Sequence, residues 1–232
     1  MLFTSIIALL SAGLVAAAPT NSTYAAGPPT VIVKNQCKST LKVGHSIDVE
    51  YFGDVVDVPA GTSHTLTMPI NWTGRVWGRE SCSGQDCFKS GMGSPASLAE
   101  FFFKENGDVF YDISFVDGFN VPMVIEPVSK VDLQYGDERL CATTSCSVLP
   151  DCPTQFITHD DEGNVSGCKS ACTFYNTDEY CCTGDYLDPN VCKTYSYASD
   201  VKAACPDVYS YAFDDYSSAF MCRSNAYTVT FC

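Results

Sequence analysis

The chain has 232 residues, with 27 acidic against 13 basic side chains and a formal net charge of −14 at pH 7. That balance excludes nucleic acid and anionic lipid surfaces as partners, because both are held by clustered Lys and Arg. It suits extracellular solubility and a neutral or cationic ligand.

Taken in chain order, MLFTSIIALLSAGLVAAAPT opens with an apolar core followed by small residues, and no charged side chain occurs before Lys34. This pattern reads as a secretory signal peptide over 1–18, cut near Ala18. No second long apolar run exists, so no integral membrane association is expected. Residues 19–30 form a Pro- and Ala-rich flexible lead-in. Beyond them, short runs with period-two or β-branched character alternate with turn signals: TVIVKN, SHTLTM, GRVWGR, DVFYDISFV and AYTVTF. Up to Val148 no segment carries a helical period, which predicts an antiparallel sandwich or barrel.

Composition shifts after Cys146. Residues 147–204 hold six cysteines and few apolar runs, so this stretch relies on bridges rather than on a core of its own. SGCKSACTFYNTDEYCC has room for a short helix after Ser166 or Ser170. From Cys205 the strand character returns. A sheet domain with a disulfide-rich insert follows.

All fourteen cysteines lie between Cys37 and Cys232. An even count in an exported chain implies a disulfide framework, although spacing alone leaves on the order of 10⁵ pairings. A metal reading is disfavoured, because adjacent cysteines such as Cys181-Cys182 rarely share one zinc and His is scarce. His45, His64 and His159 belong to no triad or HExxH pattern, and no glycine loop cradles phosphate. No cofactor is therefore expected. Asn21, Asn71 and Asn164 each begin an N-glycosylation sequon.

The most informative stretch is 97–123, SLAEFFFKENGDVFYDISFVDGFNVPM, where Glu100, Asp112 and Asp117 interrupt aromatics and β-branched residues. Acids in such a background either face solvent or gather into a site. Asp112 and Asp117 are five residues apart, so in one regular strand they face opposite ways. They can share a site only if the chain turns at Asp117-Gly118.

GRVWGRESC, SLAEFFF, FYDISFVDGFNVPM, DEYCC, CPDVYSYAFDD and the final YTVTFC resemble, in order, the motifs of the thaumatin-like family, also called the pathogenesis-related 5 or osmotin-like group. The resemblance covers essentially the whole chain after the leader. It implies a mainly β fold: a flattened lectin-like antiparallel β-sandwich over 31–146 and 205–232, with 82–94 as the remnant of a small loop domain. Residues 147–204 become a disulfide-rich second domain containing a short helix. It implies the bridges Cys37–Cys232, Cys82–Cys87, Cys141–Cys222, Cys146–Cys205, Cys152–Cys168, Cys172–Cys181 and Cys182–Cys192, with Cys82–Cys87 standing for either of two family bridges.

The resemblance also implies an acidic cleft lined by Arg75, Glu100, Asp112, Asp117 and Asp214, with Arg79 and Asp215 as the alternatives to Arg75 and Asp214. Glu100, Asp117 and Asp112 would be the catalytic set. Glycoside hydrolysis needs one protonated and one ionised carboxyl, and crowded acids push their pKa values apart to give such a pair. Phe101, Phe110, Tyr111 and Phe119 are candidate ring faces for a sugar. The implied protein is secreted, extracellular or wall-bound, and monomeric. It acts in defence or wall remodelling by binding cell-wall β-1,3-glucan, with weak endo-β-1,3-glucanase activity. The alternatives are a non-enzymatic carbohydrate-binding or antifungal protein, or an inhibitor or ligand of other secreted proteins.

Overall fold

The computed structural model describes residues 27–46, 53–91, 94–128, 139–193 and 195–232. The signal peptide, most of the lead-in and Asn21 lie outside them. In chain order the strands are β1 (Thr30–Asn35), β2 (Leu41–Ser46), β3 (Gly53–Val58), β4 (Ser63–Thr67), β5 (Thr73–Arg79), β6 (Leu98–Phe103), β7 (Val109–Ser114), β8 (Met123–Pro127), β9 (Thr144–Cys146), β10 (Ile157–His159), β11 (Val165–Cys168), β12 (Phe220–Cys222) and β13 (Ala226–Phe231). The α-helices are short: α1 (Ala171–Tyr175), α2 (Asp178–Cys181), α3 (Ser196–Ala204) and α4 (Asp215–Ser218).

Two large sheets result. One has the order β4-β1-β13-β8-β9 and the other β12-β7-β6-β5-β2-β3. Their inner faces share one core. Alternation drives this: Val31 and Val33 of β1, and Tyr227, Val229 and Phe231 of β13, all point inward and are fully buried. Phe101 and Tyr111 come from the opposite sheet. Phe101 meets Tyr227 edge-on at 5.2 Å, and Tyr111 lies 5.0 Å from the same ring. Trp72 packs 5.9 Å from Phe101 and donates its indole N–H to the Ser46 carbonyl at 2.9 Å, so the buried ring keeps its polar group satisfied.

Every pairing within the large sheets is antiparallel except one. β1 and β13 run parallel over their whole length, from Thr30↔Ala226 to Asn35↔Phe231. The expected antiparallel β-sandwich is present, with this one parallel pair inside it. A parallel pair needs a long crossover, and here nearly the entire chain supplies it. The Cys37–Cys232 bridge clasps the ends of these two strands. The other six bridges are Cys82–Cys87, Cys141–Cys222, Cys146–Cys205, Cys152–Cys168, Cys172–Cys181 and Cys182–Cys192, which leaves no free thiol.

Residues 147–204 carry the β10–β11 hairpin and α1 to α3. Ser170 caps α1 by accepting the Thr173 N–H, and Asn176 closes it in the left-handed conformation at φ 51°. Among the described residues before Val148, the helical content is one 3-10 turn, Gly84–Phe88, inside the short 82–95 loop. Arg79 organises that loop. The residue is 3 % exposed, and its guanidinium donates to the carbonyls of Lys89, Ser94 and Pro95 at 3.0, 2.7 and 2.9 Å.

The β1–β13 clasp yields a prediction. Replacing Cys37 and Cys232 together by Ala should lower the unfolding free energy by about 2–5 kcal/mol in a denaturant titration. An unchanged midpoint would show that the parallel pair holds without it.

Candidate functional site

The functional geometry lies on the outer face of the six-stranded sheet. Register places Arg75 of β5 opposite Glu100 of β6, and Glu100 opposite Asp112 of β7. Directly opposed side chains stand about 5 Å apart at Cβ, so one cation and two acids form a row across three strands. Their neighbours Ala99, Phe101, Tyr111 and Ile113 point the other way into the core. Arg75 Nε lies 3.5 Å from Glu100 Oε1, while its backbone N–H donates to Ser46 Oγ at 3.0 Å.

Asp117 joins this row because the strand stops. β7 ends at Ser114, and the Gly118 N–H bonds back to the Phe115 carbonyl at 2.9 Å. The turn needs glycine: Gly118 has φ +115°, and a Cβ there would sit 2.2 Å from the Cys168 carbonyl oxygen. Phe119 then pairs with Cys168 through two backbone bonds of 3.0 and 2.7 Å, which pins the turn to β11. The required break at Asp117-Gly118 is thus present.

Arg75, Glu100, Asp112 and Asp117 line one recess of about 440 Å³. Its far wall comes from Cys172, Cys181, Thr183, Tyr209 and Ala212. The Cys172–Cys181 bridge ties α1 to α2 and stiffens that wall. The sequence reading missed Tyr209, Thr183 and Ser114. Ser114 was accessible from period two, since it follows Asp112 on the same face, whereas Tyr209 and Thr183 arrive only through tertiary folding.

Three expectations change. Asp214 does not line the recess. It accepts from Ser210 N–H and Oγ at 3.1 and 2.9 Å and from Ser217 Oγ at 3.1 Å, and it pairs with Lys202 at 3.1 Å. Its neighbour Asp215 accepts a hydrogen bond from the Tyr209 hydroxyl at 2.9 Å and acts electrostatically on Asp112. Arg79, the alternative to Arg75, is sealed in the 82–95 loop, where burial lowers its pKa to about 10. Of the candidate sugar faces, Phe101, Tyr111 and Phe119 are core residues, while Phe110 is 37 % exposed. The sequons also differ in setting. Asn71 and Asn164 are both exposed, and the Asn164 side chain donates to Asp160 at 3.2 Å.

Electrostatics set the protonation pattern. Burial raises all three acids above the ordinary carboxylate range. For Glu100 the pull of Arg75 and a hydrogen bond from Ser114 oppose that rise. Asp112 is raised well above its usual value by burial and then by the charge of Glu100, and its Oδ1 is buried without a hydrogen-bond partner. Asp117 is raised to about 6, by burial first and Glu100 second. The arrangement can therefore hold an ionised carboxylate beside Arg75 and protonated carboxyls next to it.

Fold and site together define a disulfide-stapled β-sandwich with an acidic recess on one sheet face. The model described as the thaumatin family matches residues 35–232, and the chain belongs to that family. A pathogenesis-related thaumatin-like protein 3.5 of Cryptomeria japonica is 40% identical over 190 residues, covering 74% of this chain and 75% of its own. A Prunus avium protein named glucan endo-1,3-beta-glucosidase is 36% identical over 197 residues, covering 76% of this chain and 78% of its own. Among solved structures, a laminaripentaose-producing β-1,3-glucanase in complex with laminaritetraose shares the fold at TM-score 0.56 and 11% identity, over 88% of this chain and 98% of that one.

Two predictions follow from the turn and its acid. Gly118→Ala should cost on the order of 2–3 kcal/mol in thermal or chemical unfolding. For Asp117, the folded pKa of about 6 exceeds the ordinary 3.8, so the folded state binds the proton more tightly and loses stability as pH rises between those values. Asp117→Asn removes this penalty. Its stability relative to the unmodified protein should climb by about 1–3 kcal/mol across that window and level off above it; a flat difference would place Asp117 in water.

Proposed function

We propose that this protein binds cell-wall β-1,3-glucan in the recess over β5, β6 and β7 and cleaves it slowly as an endo-glucanase. The observation that carries this reading is the cross-strand row Arg75–Glu100–Asp112, with Asp117 turned in beside it. The name borne by the Prunus avium relative supports the same substrate class.

Roles follow from environment. Glu100 is the acid whose rise Arg75 opposes, and it serves as nucleophile or base. Asp117, held near 6, is the proton donor to the leaving sugar oxygen. Asp112 remains protonated beside Glu100 and donates a hydrogen bond to Glu100 or to a sugar hydroxyl. The sandwich, 31–146 with 205–232, supplies the floor of the site, and the second domain, 147–204, the wall carrying the Cys172–Cys181 bridge. Seven disulfides and an apolar leader support secretion, and no described helix is long and apolar enough to cross a membrane.

A second reading, binding without turnover, is favoured by one observation. All three acids are raised together by burial, so the ionised and protonated forms that turnover needs are less sharply divided among them. Incubating the mature protein with linear β-1,3-glucan separates the two, with pull-down reporting binding and new reducing ends reporting cleavage. Glu100→Gln and Asp117→Asn should each cut product release by about 10²-fold or more while leaving the protein folded. Product release unchanged in both would overturn the assignment, and binding without product in the unmodified protein would select the second reading.

A further inference from the structure

The face that carries the acids does not end at them. Side chains two positions apart share a face of a strand, so Phe102 follows Glu100 on β6 and Phe110 precedes Asp112 on β7. The register makes Phe102 and Phe110 direct cross-strand partners. Both rings are open to water, at 46 % and 37 % exposure, whereas Phe101, Phe103 and Tyr111 of the same two strands are buried on the opposite face. Lys104 lies beyond them, with Nζ 4.3 Å from the centre of the Phe110 ring and 5.3 Å from that of Phe102. On the β5 side the neighbours are Thr73, which pairs with Phe102, and the bare backbone of Gly74. The result is a trough of about 190 Å³. It shares Arg75, Glu100 and Asp112 with the acidic recess, so the two form one groove running along β6 and β7.

We propose that the Phe102–Phe110–Lys104 shelf is a sugar subsite that holds a pyranose ring of the same glucan chain whose linkage lies over the acids. This rests on the glucan reading given above. Two residues of strand advance the groove by about 7 Å, the scale of one sugar unit. A pyranose presents apolar C–H groups on its faces and hydroxyls around its edge. Exposed phenyl rings match the first by covering apolar area and meeting C–H dipoles with their electron-rich faces. The Lys104 ammonium, already held at the ring faces, matches the second as a three-proton donor. A protein partner fits less well. Two rings flanked by Thr73, Lys104 and carboxylates fall short of the several hundred Å² of apolar patch that protein docking uses. The shelf itself carries no carboxyl, so it adds affinity and direction rather than a second acid pair. It predicts that the chain lies along the strands, with its extension toward the β6–β7 hairpin.

The test is affinity as a function of oligomer length. Calorimetric titrations of the full mature protein with linear β-1,3-glucan oligomers of increasing length should show affinity rising as the chain reaches the shelf. Phe102→Ala should weaken long oligomers on the order of tenfold and leave the shortest unchanged. Phe102→Tyr, which keeps the ring, should restore the length dependence and so separates ring loss from disturbance of the strand. Glu100→Gln, run in parallel, should affect short and long oligomers alike. Length dependence that survives Phe102→Ala, or an equal loss at every length, overturns the shelf and leaves the recess intact. No binding of any oligomer by the unmodified protein overturns both the glucan reading and the shelf.

Discussion

The pairing register of β5, β6 and β7 governs both faces of the sheet they share. On one face it seats Phe101, Tyr111 and Ile113 in the core, and on the other it aligns Arg75, Glu100 and Asp112. The side-chain period is two, so a slip of one residue would bury the acids and expose the aromatics. Several buried rings oppose that slip far more strongly than any interaction among the acids favours the present register. The site's alignment is therefore a by-product of core packing, and it holds whether or not a ligand is present.

Placing three carboxyls beside one guanidinium is unfavourable by itself. Burial pushes all three towards their neutral forms, and the charge of Glu100 adds to that push on Asp112 and Asp117. The surrounding frame tolerates this because its own stability lies elsewhere: in the shared aromatic core, in the loop gathered by Arg79, and in seven bridges. The turn at Asp117 shows the same division of labour. It is maintained by Gly118, Phe119 and the Cys168 backbone.

Much of this was legible in the chain. Each of the five alternating runs contains a strand, although DVFYDISFV outlasts β7, and of Ser166 and Ser170 it is Ser170 that caps α1. The need for a break at Asp117-Gly118 followed from parity alone. Other features were not legible, for identifiable reasons. β2 and β3 carry Gly44 and two aspartates among their valines, which hides their alternation. The direction of β1 against β13 is a property of topology, and no local pattern encodes it. Asp214 and Asp215 are adjacent and chemically identical, and only the positions of Lys202, Ser210 and Tyr209 in space separate their roles. Phe110 and Phe102 differ from Phe101 and Phe103 by parity, so their exposure was implicit in the same rule that placed Glu100 outward.

The parallel pairing of β1 with β13 bears on how the protein comes to exist. A strand near the beginning of the described chain finds its central neighbour 195 residues later, at the bridge that joins Cys37 to Cys232. The first sheet therefore lacks its middle until residues 226–231 have left the ribosome, and β1 waits with an edge unpaired. Contacts so distant in sequence make closure slow, and an unpaired apolar edge is open to aggregation. Closure of this sheet, and the Cys37–Cys232 bridge that locks it, therefore come only after the segment carrying β13 has been made.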